Sequence, residues 1–99
     1  RTKKNVAVSD ATLIFYRGRL HGGTLLTYRH ALEQQRPCLR VDLRKPFRAR
    51  SIVEWVIENK VIVLNVAGPR ESMNPGIYIE ARDCLLATKR LFDEQVGPD

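Results

Sequence analysis

The spacing of apolar side chains changes period several times along this sequence, and that change restricts the architecture more than any single motif. "ATLIFY", Ala11 to Tyr16, is a short apolar run of β-branched and aromatic residues, with Ser9-Asp10 before it and Gly18 after it, and it predicts a strand. From Thr24 the apolar positions Leu25, Tyr28, Ala31 and Leu32 fall at helical spacing, with Gly22-Gly23 as the preceding turn and Thr24 as a capping residue. "PCLRVDL" then alternates Leu39, Val41 and Leu43 against Arg40 and Asp42, which suits an edge strand.

Helical spacing returns at Ile52, Val53, Val56 and Ile57, with Trp55 and Glu58 turned elsewhere and Pro46 shortly before the start. Val61 to Ala67 is apolar apart from Asn65, the pattern of a parallel strand covered on both faces. Asn74 before Pro75 reads as a cap followed by proline at the first helical position. Behind it Ile77, Ala81, Cys84, Leu85, Thr88, Leu91 and Phe92 trace one face of a long helix that ends near Gly97-Pro98.

The resulting order, β-α-β-α-β-α, implies an α/β fold in three layers, a short parallel sheet with right-handed crossovers and helices on its faces. With 99 residues, 1–99 is expected to be a single domain. Arg1 at the start and Met73 as the only methionine suggest a chain trimmed or excised from something longer.

Composition bounds the function classes. Hydrophobic residues make up 43% and charged residues 28%, and no apolar run approaches the roughly 20 residues of a membrane span, so cytoplasm is the expected compartment. Cys38 and Cys84 have no CxxC spacing and no neighbouring histidine pair, which argues against zinc, any other metal or a disulfide framework. The net charge is +6, and Arg36 to Arg50 holds six Lys or Arg against the single acid Asp42. No nucleic-acid-binding motif surrounds them, so a basic nucleic-acid-binding module is the lesser reading beside attraction of phosphorylated or oxyanionic small ligands.

In open parallel sheets ligands lie beyond the carboxyl ends of the strands, where loops lead into helix N-termini. Two loops qualify. "RGRLHGGTLLT", Arg17 to Thr27, has paired glycines beside Thr24, whose neighbouring N–H groups face an anion, although a plain turn with a cap explains the same residues. In "VIVLNVAGPRES" Gly68 turns the backbone out of the strand, Pro69 stiffens the exit and Arg70 offers a planar fork of donors. Arg70 has a structural alternative in a salt bridge to Glu71 or Glu80, and Asn65 has one in tying adjacent segments together. Catalytic patterns are sparse. His21 and His30 accompany no nucleophile elbow, and Asp10 reads as a loop cap.

"NVAVSDATLIFYRG", "HGGTLLTYRHA", "PCLRVDL" and "VLNVAGPRES" followed by "PGIY" resemble, in order and spacing, the C-terminal two-thirds of the putative molybdenum carrier family, which is related to the lysine-decarboxylase-like phosphoribohydrolases. The resemblance implies a Rossmann-like α/β fold that binds a phosphate-bearing ligand, a nucleotide or the molybdenum cofactor, without a settled reaction. It carries over Arg17, Gly18, Gly22, Gly23, Thr24 and Thr27 from the first loop, and Asn65, Gly68, Pro69, Arg70, Glu71 and Ser72 from the second. The family's N-terminal strand and "GGQTG" turn have no counterpart here. Thr27 stands where the phosphoribohydrolases place a catalytic glutamate, so a nucleotide-processing enzyme is the alternative, with Glu71 as its only loop carboxylate. A three-stranded sheet about 14 Å wide with an exposed parallel edge invites self-association, or a missing N-terminal half supplied separately.

Overall fold

The computed structural model of the chain describes residues 2–96, with side chains from residue 5 onward. Seven elements follow in the order α1 (Thr2–Val8), β1 (Ala11–Tyr16), α2 (Gly22–Glu33), β2 (Cys38–Asp42), α3 (Ala49–Glu58), β3 (Leu64–Ala67) and α4 (Ile77–Val96). The strands form one parallel sheet in the order β2-β1-β3. β1 is central because it alone is apolar or hydroxyl-bearing on both faces, and Ala11 through Phe15 are all buried. The layered, Rossmann-like α/β expectation is met.

The two faces of β1 bury different material. Leu13 and Phe15 meet Val41, Ile52 and Cys84 in the main core, closed in by Trp55 and Val56 of α3, Leu64 of β3 and Leu85 of α4. Thr12 and Ile14 alternate to the other face, which α1 and α2 cover with the buried Val6, Thr24, Thr27 and Ala31. Thr27 tolerates burial because its hydroxyl donates to Gly23 O within the helix, at 3.0 Å.

Several local expectations are corrected. The N-terminal α1 has no counterpart in the β-first order. α2 begins at Gly22, with His21 at the N-cap position, so Thr24 lies inside the first turn and is no cap. Its buried face is Thr24, Thr27 and Ala31, whereas Leu32 is about half exposed. In α3, Trp55 packs on the core and Ile57 faces out. β3 is shorter than Val61 to Ala67 and is not covered on both faces. Among the described residues only β1 flanks it, and Ile62 is 90% exposed, Val63 49% and Val66 42%.

The start of α4 also differs from the cap-then-proline reading. Gly76 has φ +88, far from the values of a regular helix, and Ile77 N donates to Asn74 O at 3.0 Å. Asn74-Pro75-Gly76-Ile77 is therefore a turn with proline second and left-handed glycine third, and the helix starts at Ile77. The cap comes from Glu71. Its Oε2 accepts from Gly76 N at 2.5 Å and its Oε1 from Tyr78 N at 3.0 Å. α4 is described to Val96, and the expected stop near Gly97-Pro98 lies outside the described residues.

Candidate functional site

Helix α2 opens with backbone donors that no side chain caps among the described residues. His21 is extended, with φ −156 and ψ 168, and makes no capping bond. The first intrahelical bond is from Leu25 N to His21 O, so the N–H groups of Gly22, Gly23 and Thr24 precede the helical ladder. Gly22 has φ +57, a left-handed backbone that glycine adopts at no steric cost. The glycine therefore sets the angle at which these donors leave the turn.

The second wall comes from the exit of β3. Gly68 passes so close to β1 that a Cβ there would lie 3.1 Å from Phe15 O, and this proximity brings the following loop back over the carboxyl end of the sheet. Arg70 is exposed, and among the described residues it forms no salt bridge. Both carboxylates expected to neutralise it are engaged elsewhere: Glu71 caps α4, and Glu80 pairs with Arg17.

Between the α2 start and this loop lies an open cavity of about 830 Å³. It brings together Gly22, Gly23, Thr24 and Thr27 from the first loop with Asn65, Gly68, Pro69 and Arg70 from the second. Thr24 and Arg70, distant in sequence, thus face one space. Much of the remaining wall is apolar, from Phe15, Val66, Met73, Ile77 and Ala81, with Tyr78 at the rim, and His21 and Asn5 are its further polar residues. Asn65 has a structural duty as well, since its amide donates to Thr12 Oγ1 across the sheet at 3.4 Å, a long bond that leaves most of the amide's capacity open.

Four expected site residues do not line the cavity. Arg17 donates to Pro75 O at 2.9 Å and pairs with Glu80, which fastens the end of β1 to the start of α4. Gly18, at φ +82, donates to Asp42 Oδ1 at 3.0 Å and links the ends of β1 and β2. Glu71 is the α4 cap. Ser72 is exposed in the turn between them. Arg17, Gly18 and Glu71 hold the loops in place from behind the cavity.

The titratable groups around the sheet are structural. The backbone N–H groups of Gly76 and Tyr78 hold the Glu71 carboxyl below the usual carboxylate range, and Arg17 adds to that effect. Asp42 is lowered by the N–H groups of Gly18 and Arg44. Asp10, read as a loop cap, accepts from Val63 N and Ile62 N at 2.7 and 2.8 Å and is lowered by them. Burial pushes the Cys84 thiol up to about 11 and also raises Cys38. No carboxylate and no thiol is among the residues lining the cavity.

Sequence reasoning missed Asn5, which α1 delivers to the cavity, and the apolar wall. No periodicity marks a seven-residue helix, so Asn5 carried no signal; Ile77 and Ala81 were legible only as a core-facing stripe. Among the described residues no group of three or more His, Cys, Asp or Glu is placed to hold a metal ion, and no helix is long and apolar enough to cross a membrane.

Residues 1–89 match the circularly permutated YpsA SLOG family. The fold is similar to the crystal structure of the putative molybdenum carrier protein from Syntrophus aciditrophicus SB, with 38% sequence identity and a TM-score of 0.82. That match covers 89% of this chain and 58% of the other, so the chain spans little more than half of that protein's length. No curated protein matches the sequence.

Proposed function

The chain belongs to the circularly permutated YpsA SLOG family, and on that premise we propose that it is a non-catalytic module binding the phosphate group of a small molecule, a nucleotide or the molybdenum cofactor. The observation that carries this reading is the shared cavity, where the side-chain-uncapped start of α2 and the unpaired Arg70 supply positive potential to one space. Backbone N–H groups at a helix start and a guanidinium both suit phosphate oxygens. The apolar wall around Val66, Met73 and Tyr78 gives a base or ring system a surface to lie on.

The name of the structural relative favours the molybdenum cofactor among phosphate-bearing ligands. The donor set fits the phosphate part of such a group. It does not fit direct ligation of the metal, because no cysteine lines the cavity. When bound, the cofactor would be cargo, held through its phosphate by Arg70 and the α2 amides.

A nucleotide-processing enzyme has less support. Its acid/base candidate, Glu71, spends both carboxylate oxygens on backbone donors at α4. General acid/base work needs a group within reach of the reacting bond and tuned toward neutrality, and this carboxyl is held the other way.

Affinity follows from the parts. A helix N-terminus contributes at most roughly 2 kcal/mol to anion binding, and charge-assisted bonds from Arg70 add about 1.5 to 3 kcal/mol. Micromolar affinity needs about 8 kcal/mol, so the expected dissociation constant for this chain alone is weaker than about 100 micromolar. Titration with adenosine monophosphate, followed by heteronuclear NMR, tests the reading. The Gly22, Gly23 and Thr24 amides are expected to shift together, and Arg70→Gln to weaken binding roughly tenfold or more. Unmoved α2 amides, or an unchanged constant in the variant, refute it.

A further inference from the structure

The basic stretch from Arg36 to Arg50 lines no part of the cavity at β3, and the fold gathers several of its residues around a second one. Between the end of β2 and the start of α3 lies an open cavity of about 460 Å³ that shares no lining residue with the first. Lys45 N donates to Asp42 O at 3.0 Å, so the chain turns as it leaves β2 and keeps Lys45 beside the end of the strand. Pro46 and Phe47 follow. Arg48, extended at φ −121 and ψ 127, stands at the N-cap position of α3, where its donor-only side chain makes no capping bond.

Arg40, Lys45 and Arg48 line this cavity, and among the described residues none of them forms a salt bridge. Arg40 lies 4.8 Å from the centroid of the Tyr28 ring, which holds the guanidinium without neutralising it. The neighbouring acids are engaged. Glu80 and Asp83, which share an adjoining cavity with Lys45, pair with Arg17 and Arg82. Asp42 is the one carboxylate in the wall, and its Oδ1 accepts from Gly18 N and Arg44 N. Three cations against one carboxylate leave an excess of two positive charges. That excess complements a phosphate monoester, which carries about −1.5 to −2 near neutral pH. Ring surface adjoins the charges. Phe47 is 43% exposed, and the partly buried Tyr16 stands in the same wall, with Ser51 adding a hydroxyl.

Packing does not require Phe47 at the surface, and ion pairing does not employ Lys45 or Arg48, so the fold leaves open one set of groups that suits an anion joined to a ring. We infer that this cavity is a second binding site, for a small monophosphate that carries an aromatic ring. Lys45 and Arg48 donate to the phosphate oxygens, Arg48 through its planar fork, and the ring lies on Phe47. The volume is that of a small-molecule pocket, which runs to roughly 300 to 1,000 Å³. This inference stands apart from what the cavity at β3 binds, since it rests on different residues.

Phenyl phosphate and inorganic phosphate, titrated into the 99-residue chain at constant ionic strength and followed by heteronuclear NMR, test it. The expected result is saturable, one-site shifting of the Lys45, Phe47, Arg48 and Ala49 amides, with phenyl phosphate bound about five- to tenfold more tightly than inorganic phosphate. Lys45→Gln and Arg48→Gln are each expected to weaken phenyl phosphate roughly tenfold or more, and Phe47→Ala to remove its advantage over inorganic phosphate. All three side chains are exposed, so circular dichroism is expected to show an unchanged fold. The same shifts are expected in Arg70→Gln, which separates this site from the one at β3. Adenosine monophosphate as a third probe tells the source of the ring, since the tighter binder at these amides identifies it as aryl or nucleobase. Equal affinities for phenyl and inorganic phosphate overturn the inference, because a diffuse positive surface then accounts for the attraction. So does an oligothymidylate whose affinity for these residues climbs with its length, because the patch is then a track for single-stranded nucleic acid.

Discussion

Gly22 and Gly23 are neighbours in sequence and form the same wall of the cavity, yet replacing each by alanine is expected to move stability in opposite directions. Gly22 has φ +57, and a left-handed backbone costs an L-residue about 1 to 2 kcal/mol. Fewer conformations of the unfolded chain return about 0.4 to 1 kcal/mol of that, so Gly22→Ala is destabilising by roughly 1 kcal/mol. An added Cβ meets no atom within 4 Å, so the effect is one of backbone alone. Gly23 has no positive φ, lies in the first turn of α2, and an added Cβ there also meets nothing within 4 Å. Alanine exceeds glycine in helix propensity by up to about 1 kcal/mol, so Gly23→Ala is stabilising by a few tenths to about 1 kcal/mol. Urea unfolding followed by far-ultraviolet circular dichroism separates the pair, and in thermal melts each kcal/mol corresponds to about 4 to 8 °C for a domain of this size. Gly22→Asn is expected to fall between wild type and Gly22→Ala, because asparagine tolerates the left-handed region. Two alanine variants with shifts of the same sign and similar size would refute the left-handed start of α2, and with it the direction assigned to the α2 donors.

The carboxylates of Asp10, Asp42 and Glu71 all sit below their usual range because backbone N–H groups favour their charged forms. Depressed folded values mean that their contribution is fully present above the unfolded carboxylate range near about pH 4 and is lost as pH falls through the lower folded values. The urea midpoint is therefore expected to drop on acidification in that window, and Glu71→Gln to make the drop shallower; a midpoint flat with pH there contradicts the capping bonds. Cys84 is buried with its thiol pushed up to about 11, so its modification by a maleimide near neutral pH is expected to be slow until the chain unfolds, as counted by intact mass. Prompt double labelling of the folded chain would place Cys84 outside the core.

Elements that bury a full apolar set were legible, and those defined by a missing neighbour were not. "ATLIFY" gave β1 with its exact residues because both faces are covered and turn residues bound it. The period of α4 was legible because one face, with Ile77, Cys84 and Thr88 buried, packs on the molecule while the other stays in solvent. β3 has an equally apolar sequence, but its burial depends on what flanks it, and composition cannot tell an internal strand from an unguarded edge. The start of α4 was misplaced because proline after asparagine suits both a helix cap and a turn, and the decision rests on the left-handed Gly76. Threonines at Thr24 and Thr27 hide the buried face of α2, since their hydroxyls read as polar until a helical carbonyl satisfies one of them. For the site, Arg70 and the glycine pair were visible as donors. That Arg17 and Glu71 instead brace α4 depends on contacts across more than fifty residues of chain for Arg17, and on a local turn for Glu71, neither of which spacing reveals.

The order β2-β1-β3 puts the earliest strand of the polypeptide between two later ones. Thr12 aligns with Cys38, 26 residues on, and with Asn65, 53 residues on. Doubling a loop adds only about 0.6 kcal/mol of closure entropy, so distance along the chain barely ranks the two pairings. What ranks them is wetting: α1 and α2 can dry the Thr12 and Ile14 face early, whereas Leu13 and Phe15 stay in water until α3 and α4, both later in the chain, pack over them. The two faces of the central strand are thereby sheltered by different stretches of the polypeptide, and the main core is the later one to close.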